Sequence, residues 1–315
     1  MLRKGSESHE TRGSMNDQLQ GADAPEVEAW VGWCCSYCAA PLEVRPHGLF
    51  CRAEGRFFAT LEGVHRLLPE ERRREVQPLV ELQQRARRDA GHHRPTSLGK
   101  RRARMLRRGL ARAAQHLGPG SWNVLEVGGG CGWAAARLLA EGHRVAAVDV
   151  NLDAEDGLLA ADRVTGGAAL PRGEAEIEAL PFEPRRFDLV VAPGSLHQGS
   201  RLSRALVELR RVTRRGGVLL ALDSPVFRHR EDGEATVGRA LREQERRYRL
   251  SIPRETQAGY LVLDELPALF AQAGWRAEVQ GWPDRLREWV GDACWLLRRG
   301  RRAPRFPMVV ARRDG

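Results

Sequence analysis

The chain has 315 residues, 42% of them hydrophobic, which is long for one module at roughly 100–200 residues per domain and apolar enough for a core. Its six cysteines are too few for a disulfide scaffold, and no apolar run approaches the roughly 18–20 residues of a membrane span. Residues 1–20 are polar and lack the apolar stretch of a secretory signal, so the composition predicts a cytoplasmic globular protein.

The formal charge of +10 invites a nucleic-acid reading, yet all 51 basic residues except Lys4 and Lys100 are arginine. Isoleucine, asparagine, tyrosine and lysine, whose codons are A/T-rich, are all scarce, so the arginine content follows a GC-rich genome. The excess is local. Arg85–Arg112 holds eleven bases against one acid, Asp89, and outside it 40 bases meet 40 acids. Such a strip reads as a solvated helix face, a docking surface, or a surface for RNA.

In chain order, residues 1–25 have no periodic apolar pattern and read as a disordered tail. Residues 26–69 form a compact segment rich in Cys and Trp. Residues 70–97 are highly charged and read as a helical linker closed by Pro95. Leu98, Met105, Leu106, Leu110 and Leu117 then lie near helical spacing and open a unit that runs to residue 315. Within it strands at 123–127, 144–149, 187–192 and 218–223 alternate with helices at 133–140 and 203–213. That alternation implies a parallel sheet with helices on both faces. A polar insertion, 224–262, follows the strand at 218–223, where open α/β sheets build substrate sites. A helix at 264–273 and strands at 275–280 and 306–312 close the chain.

The strongest chemical signal is Val124-Leu-Glu-Val-Gly-Gly-Gly-Cys-Gly-Trp133. Glu126 ends a strand, and Gly128, Gly130 and Gly132 form a turn sharp enough to bring backbone against a ligand. The second strand ends at Asp149, placed to take the two hydroxyls of a ribose. Gly130-x-Gly132-x-x-Ala135 also satisfies a dinucleotide fingerprint. The acid two residues before the first glycine argues against a pyrophosphate and for a cationic amino-acid moiety.

With its flanks, Glu126-x-Gly128-x-Gly130-x-Gly132 resembles motif I of class I S-adenosylmethionine (SAM)-dependent methyltransferases. The resemblance extends through Glu176-Ile177-Glu178-Ala-Leu-Pro-Phe182, Phe187-Asp-Leu-Val-Val191 with Ser195-Leu-His197, and Leu209–Gly217. It implies a Rossmann-like, doubly wound α/β sheet of seven strands with a late antiparallel strand. It further implies that Gly128, Gly130 and Gly132 line the methionine moiety and that Asp149 holds the ribose beside Val150. Glu176 accepts from the adenine amino group, with Ile177 packing nearby; Glu174 and Glu178 leave that register open. Ala192 lies at the methionine end. Asp149–Leu158, Ser195–His197 and Asp223-Ser-Pro225 also resemble a bacterial subgroup of methyltransferases with a Cys-containing N-terminal segment.

Methyl transfer from a sulfonium needs alignment and exclusion of water, with a general base only where the acceptor requires one. His197 and Asp223, at the exits of central strands, are the candidates; packing and loop capping are the alternatives. After the fourth strand comes Ala192-Pro-Gly-Ser195, neither the Asp/Asn-Pro-Pro-aromatic signature of many amino-group methyltransferases nor the Pro-Cys pair of a cytosine-C5 enzyme.

Cys35-x2-Cys38 and then Cys51 make most of a zinc ribbon, whose fourth ligand falls at 54 or 55. Glu54 is the candidate there, with Cys34 or His47 as substitutes; a metal-free ribbon packed by aromatics is the alternative. The segment resembles the zinc ribbon of bacterial 23S rRNA guanine-N1 methyltransferases and implies Zn2+ there. The reading as a whole is a SAM-dependent methyltransferase acting on a small-molecule acceptor. An rRNA guanine-N methyltransferase using the 85–112 strip, and an inert SAM-binding protein, are the alternatives.

Overall fold

A computed structural model describes residues 28–89, 97–252, 259–281 and 303–314. The predicted tail at 1–25 and part of the connection to the last strand lie outside the described residues. In chain order the elements are β1 (Glu43–Arg45), β2 (Gly48–Cys51), β3 (Arg56–Leu61), β4 (Val64–His65), α1 (Glu70–Asp89), α2 (Ser97–Leu117), β5 (Asn123–Val127), α3 (Trp133–Ala140), β6 (Arg144–Asp149), α4 (Ala161–Thr165), β7 (Arg172–Glu174), β8 (Phe187–Pro193), α5 (Leu202–Val212) and β9 (Thr213–Leu222). The insertion then carries β10 (Val226–Phe227), α6 (Arg230–Gly233), α7 (Arg239–Tyr248) and β11 (Leu261–Val262), followed by α8 (Leu266–Gln272), β12 (Trp275–Gln280) and β13 (Met308–Arg313).

The expected seven strands stand in the order β7-β6-β5-β8-β9-β13-β12. The first five are parallel, and β13 runs antiparallel to both β9 and β12. Side-chain alternation along the strands feeds two cores. In β5, Leu125 and Val127 face the core that holds Leu206 and Leu209 of α5 and Phe270 of α8. Val124 faces the other core, with Leu106 and Leu110 of α2 and Ala134 and Leu138 of α3. The same alternation puts Glu126 on the Val124 side, beneath the start of α3. No helix among the described residues is long and apolar enough to cross a membrane.

The sheet extends beyond seven strands. β4 pairs in parallel with the edge strand β7, Val64 opposite Arg172 and His65 opposite Gly173, and β3, β2 and β1 continue from it antiparallel. Trp33 secures the junction. Its ring stacks on Phe182 at 4.8 Å and meets His65 edge-on at 5.2 Å, and its indole N–H donates to Glu28 at 3.2 Å. A Cβ at Gly173 would come within 2.9 Å of the indole, so only glycine lets the Trp33 ring lie against β7.

Helix α1 begins with Glu70 and Glu71 and ends with Arg87 and Arg88, a charge order that suits the helix dipole. It runs through Pro78, which forgoes one backbone hydrogen bond at a cost of about 3 kcal/mol in a helix interior. Packing therefore has to hold it. Val76, Leu79, Val80 and Leu82 are buried, and Leu79 and Leu82 meet Ile252, Leu241 and Tyr248 of the insertion.

The Trp33 junction gives the first prediction. Trp33→Ala is expected to lower the unfolding free energy by about 3–5 kcal/mol, the usual cost of deleting a buried aromatic ring. Urea denaturation measures it, and a loss under about 1 kcal/mol would mean that the N-terminal strands do not buttress the sheet.

Candidate functional site

The C-terminal ends of β5, β6 and β7 open onto a cleft of about 610 Å³ of empty space. Gly128, Asp149, Val150, Glu176 and Ile177 line it, so five of the sequence-predicted cofactor residues share one wall system. Glu178, Ser195, Gln198, Gly199 and Ser200 continue the lining beyond β8, and Val76, Leu79, Val80 and Gln83 of α1 close the remaining side. The predicted residues Glu126, Gly130, Gly132 and Ala192 are not among the lining residues; Glu126, Gly132 and Ala192 are buried and Gly130 is partly exposed.

Gly128 must be glycine on two counts. Its φ is +71°, in the left-handed region that L side chains rarely adopt, and a Cβ there would sit 2.2 Å from the Ser195 Cβ. Its N–H donates to the Val148 carbonyl at 2.8 Å, which ties the turn to β6. Gly130 donates its N–H to Asp149 Oδ2 at 2.8 Å, and Asn151 donates to Oδ1 at 2.8 Å. Asp149 thus braces the turn while each oxygen keeps a lone pair for a ligand. Burial pushes its carboxyl above the usual range, against the pull of those two amides.

Glu126 is fully buried. Its carboxylate accepts the Ala135 N–H at 2.8 Å and the Ala134 N–H at 3.3 Å. These are orphan donors of the first turn of α3, which a buried carboxylate satisfies well. Burial nevertheless pushes the Glu126 carboxyl up to about 8. The residue shapes the glycine turn from behind.

Glu176 meets Arg72 of α1 in a fork, Arg72 Nη2 to Oε1 at 2.7 Å and Nε to Oε2 at 2.9 Å. Glu174, almost wholly buried, accepts from Arg66 at 2.6 Å and from Arg73 at 3.0 Å. Of the three acids whose register the sequence left open, Glu176 and Glu178 line the cleft, and Glu178 accepts from the Ser200 hydroxyl and the Arg201 N–H at 2.9 and 2.8 Å.

His197 and Asp223 lie outside the cleft lining. His197 Nδ1 is 3.2 Å from the Ser224 hydroxyl, and burial lowers its pKa from 6.5 to about 4, so the ring is neutral near pH 7. Asp223, at the exit of β9 with φ +54°, is ion-paired with Arg102 Nε at 2.7 Å. That pair draws on the basic strip. Arg85 donates to the Tyr248 carbonyl, Arg87 and Arg88 pair with Asp156 and Asp153, and Arg101 donates to the Phe306 carbonyl. Arg104, Arg107, Arg108 and Arg112 remain exposed on α2.

The Sγ atoms of Cys35, Cys38 and Cys51 lie within 4.8 Å of one another, with Cys38 and Cys51 3.6 Å apart. Two thiolates on one tetrahedral zinc, each bonded at about 2.3 Å, stand roughly 3.8 Å apart, so the three sulfurs fit three vertices of such a site. The Tyr37 N–H points at Cys35 Sγ at 3.5 Å, and backbone amides of Ala53 and Glu54 lower the Cys51 pKa against its burial. The Glu54 carboxylate is outside the cluster. Cys34 donates to the Gly32 carbonyl, and His47 sits in the tight turn between β1 and β2 at φ +65°.

The sequence reading missed the α1 wall. Its signal was the i, i+3, i+4, i+7 spacing of Val76, Leu79, Val80 and Gln83, which the surrounding charge obscured.

Residues 125–221, from β5 through β9, match the family described as a methyltransferase domain. Over 112 residues the chain is 38% identical to the malonyl-acyl-carrier protein O-methyltransferase of Erwinia pyrifoliae, covering 35% of this chain and 40% of that protein. Over 110 residues it is 36% identical to the ubiquinone/menaquinone biosynthesis C-methyltransferase UbiE of Rhizobium rhizogenes, covering 33% and 42%. The chain thus spans about two fifths of the length of these curated relatives. A chain from the complex of the Haloferax volcanii Trm112 methyltransferase activator with a methyltransferase superposes with a TM-score of 0.50 at 18% identity, covering 77% of this chain and 97% of its own. That likeness is one of fold. Residues 125–221 are thus similar to a methyltransferase domain, on a Rossmann-like sheet.

Burial of His197 has a pH signature. Its folded pKa is depressed, so its contribution to stability is complete above the unfolded value near 6.5 and is lost as pH falls through about 4. Urea denaturation from pH 7 to pH 4 is expected to show His197→Gln losing less stability on acidification than the wild type. Parallel curves would mean that the imidazole is not held neutral by burial.

Proposed function

We propose that the protein is a SAM-dependent methyltransferase acting on a small-molecule acceptor. The observation that carries this reading is the convergence on one cleft of a glycine that admits no side chain, a strand-end aspartate and a second acid one strand over. Gly128 lets backbone approach a ligand. Asp149 offers carboxylate oxygens to a ligand's hydroxyls at the end of β6, and Glu176 offers its own beside Ile177. Gly130, Gly132 and Ala192 support this surface from beneath, and Glu126 fixes the helix start to which the turn leads.

When bound, SAM supplies a methyl group made electrophilic by its sulfonium. The chain's task is then to hold the acceptor in line with that carbon and keep water out. His197 is the residue we assign to accept a proton where the acceptor carries one, from its place at the exit of β8; it lies outside the cleft lining, and its lowered pKa makes it a weak base. Asp223 is already committed to Arg102 and serves to set the exit of β9. The curated relatives, one an O-methyltransferase named for malonyl-acyl-carrier protein and the other a C-methyltransferase of ubiquinone/menaquinone biosynthesis, support a small-molecule acceptor. In the N-terminal segment, Cys35, Cys38 and Cys51 are the ligands we assign to a structural Zn2+, with the fourth position filled by a group other than a described side chain of that cluster.

Calorimetry with S-adenosylhomocysteine tests the cofactor reading. Submillimolar binding is expected, weakened by about tenfold or more, ~1.4 kcal/mol, in Asp149→Ala; no binding to the wild type overturns it. Radiolabelled methyl transfer into fractionated lysate is expected in the metabolite fraction, and label confined to RNA would replace the small acceptor with a nucleic acid. Metal analysis is expected to find about one zinc per chain, as structural thiolate sites hold, and next to none in Cys38→Ser. A metal-free wild type would leave the segment held by packing alone.

A further inference from the structure

We infer that helix α1 is the fourth wall of the cofactor site and that Arg72 positions Glu176 for the adenine amino group. The inference rests on the methyltransferase reading above and deepens it. Residues 125–221, the segment that matches the methyltransferase family, supply three sides of the cleft: the turn at Gly128 with Ser195, Gln198, Gly199 and Ser200 after β8 beside it, the β6 exit at Asp149–Val150 and the β7 exit at Glu176–Ile177. The remaining side comes from Val76, Leu79, Val80 and Gln83, more than forty residues upstream of that segment. Val76, Leu79 and Val80 are each less than a tenth exposed, and Val150 and Ile177 line the same cleft. Two apolar surfaces facing one slot suit a flat heteroaromatic ring.

Paired polar groups hold this wall at both ends. At its start Arg72 forks Glu176 and Arg73 meets Glu174. Toward its end Gln84 donates to Asn151 at 2.7 Å, and Arg87 and Arg88 pair with Asp156 and Asp153 at 2.7 and 2.6 Å. All five partners sit on β7 or on the loops that follow β6 and β7, the same elements that present Asp149 and Glu176. The wall and the ligand-facing carboxylates are therefore one coupled unit.

The fork is specific in what it leaves free. Arg72 takes one lone pair on each Glu176 oxygen and fixes the carboxylate plane. The other lone pairs remain for a donor in the cleft. A neutral side chain at position 72 would leave the carboxylate free to rotate. The bond to an exocyclic amino group would then lose its geometry while the fold persisted.

The experiment uses the full chain and two probes, S-adenosylhomocysteine and its deaminated analogue S-inosylhomocysteine, which lacks the amino donor. The wild type is expected to prefer the first by about tenfold, the size of one good hydrogen bond to a charged group. Arg72→Gln is expected to lose most of that preference with an unchanged melting temperature. Val76→Ala/Val80→Ala is expected to weaken both probes equally, and Arg74→Gln, which among the described residues pairs with Glu70 of its own helix, to weaken neither. If the wild type binds and discriminates but Arg72→Gln and Val76→Ala/Val80→Ala match it, α1 is no part of the site. If the wild type binds neither probe, the methyltransferase reading fails and this inference falls with it.

Discussion

A carboxylate buried beneath the first turn of α3 is the constraint on which the rest of the site depends. The helix must begin where the glycine turn ends, and its leading amides would be unsatisfied in an apolar interior. Glu126 meets two of them from the end of β5. This fixes the position of α3 against the sheet and, with the Val148 carbonyl, the path of the turn between them. Gly128 can then lie against Ser195, and Gly130 can reach Asp149. Removing the acid would unsettle the helix start, the turn and Asp149 together.

A second layer of charge works differently. Glu174, Glu176, Asp153 and Asp156, on β7 or in the loops after β6 and β7, are engaged by arginines of α1 or the segment before it, so much of an acidic rim is neutralised. Exposed pairs of this kind contribute little individually. Here several act on one helix that carries an internal proline, and their joint effect is to set where that helix lies. The same arithmetic explains the basic strip. Among the described residues Arg85, Arg87, Arg88 and Arg102 share in such pairing, and Arg104, Arg107, Arg108 and Arg112 stay exposed on α2.

Much of this was legible in the sequence because it depends on local rules. The period-two strands and the Gly-rich turn each follow from backbone geometry and implied the parallel sheet, whereas the late antiparallel strand came from the resemblance to class I methyltransferases. Asp149 was legible for the same reason, since strand ends point residues at the cleft; Glu176 came from the family resemblance, with Glu174 and Glu178 leaving its register open. What escaped depends on partners distant in sequence. Arg72 and Glu176 are 104 residues apart, and nothing local marks either as the other's mate. Glu126 was read as a ligand contact because sequence shows which residue flanks the turn, not which way the strand alternation aims its side chain. The join between β4 and β7 was equally invisible, because a two-residue strand has no periodicity to detect.

That short join has an evolutionary and practical consequence. Beyond β7 a methyltransferase sheet would end in an open row of backbone donors and acceptors, the kind of rim along which proteins stick to one another. Here β4 covers that rim and passes it to β3, β2 and the small β1. The N-terminal segment therefore acts as a selvedge, the woven border that stops a fabric from fraying. A fragment trimmed to the unit that begins at residue 98 would gain a bare seam, and its poor behaviour in solution would reflect the cut rather than a defect in the fold.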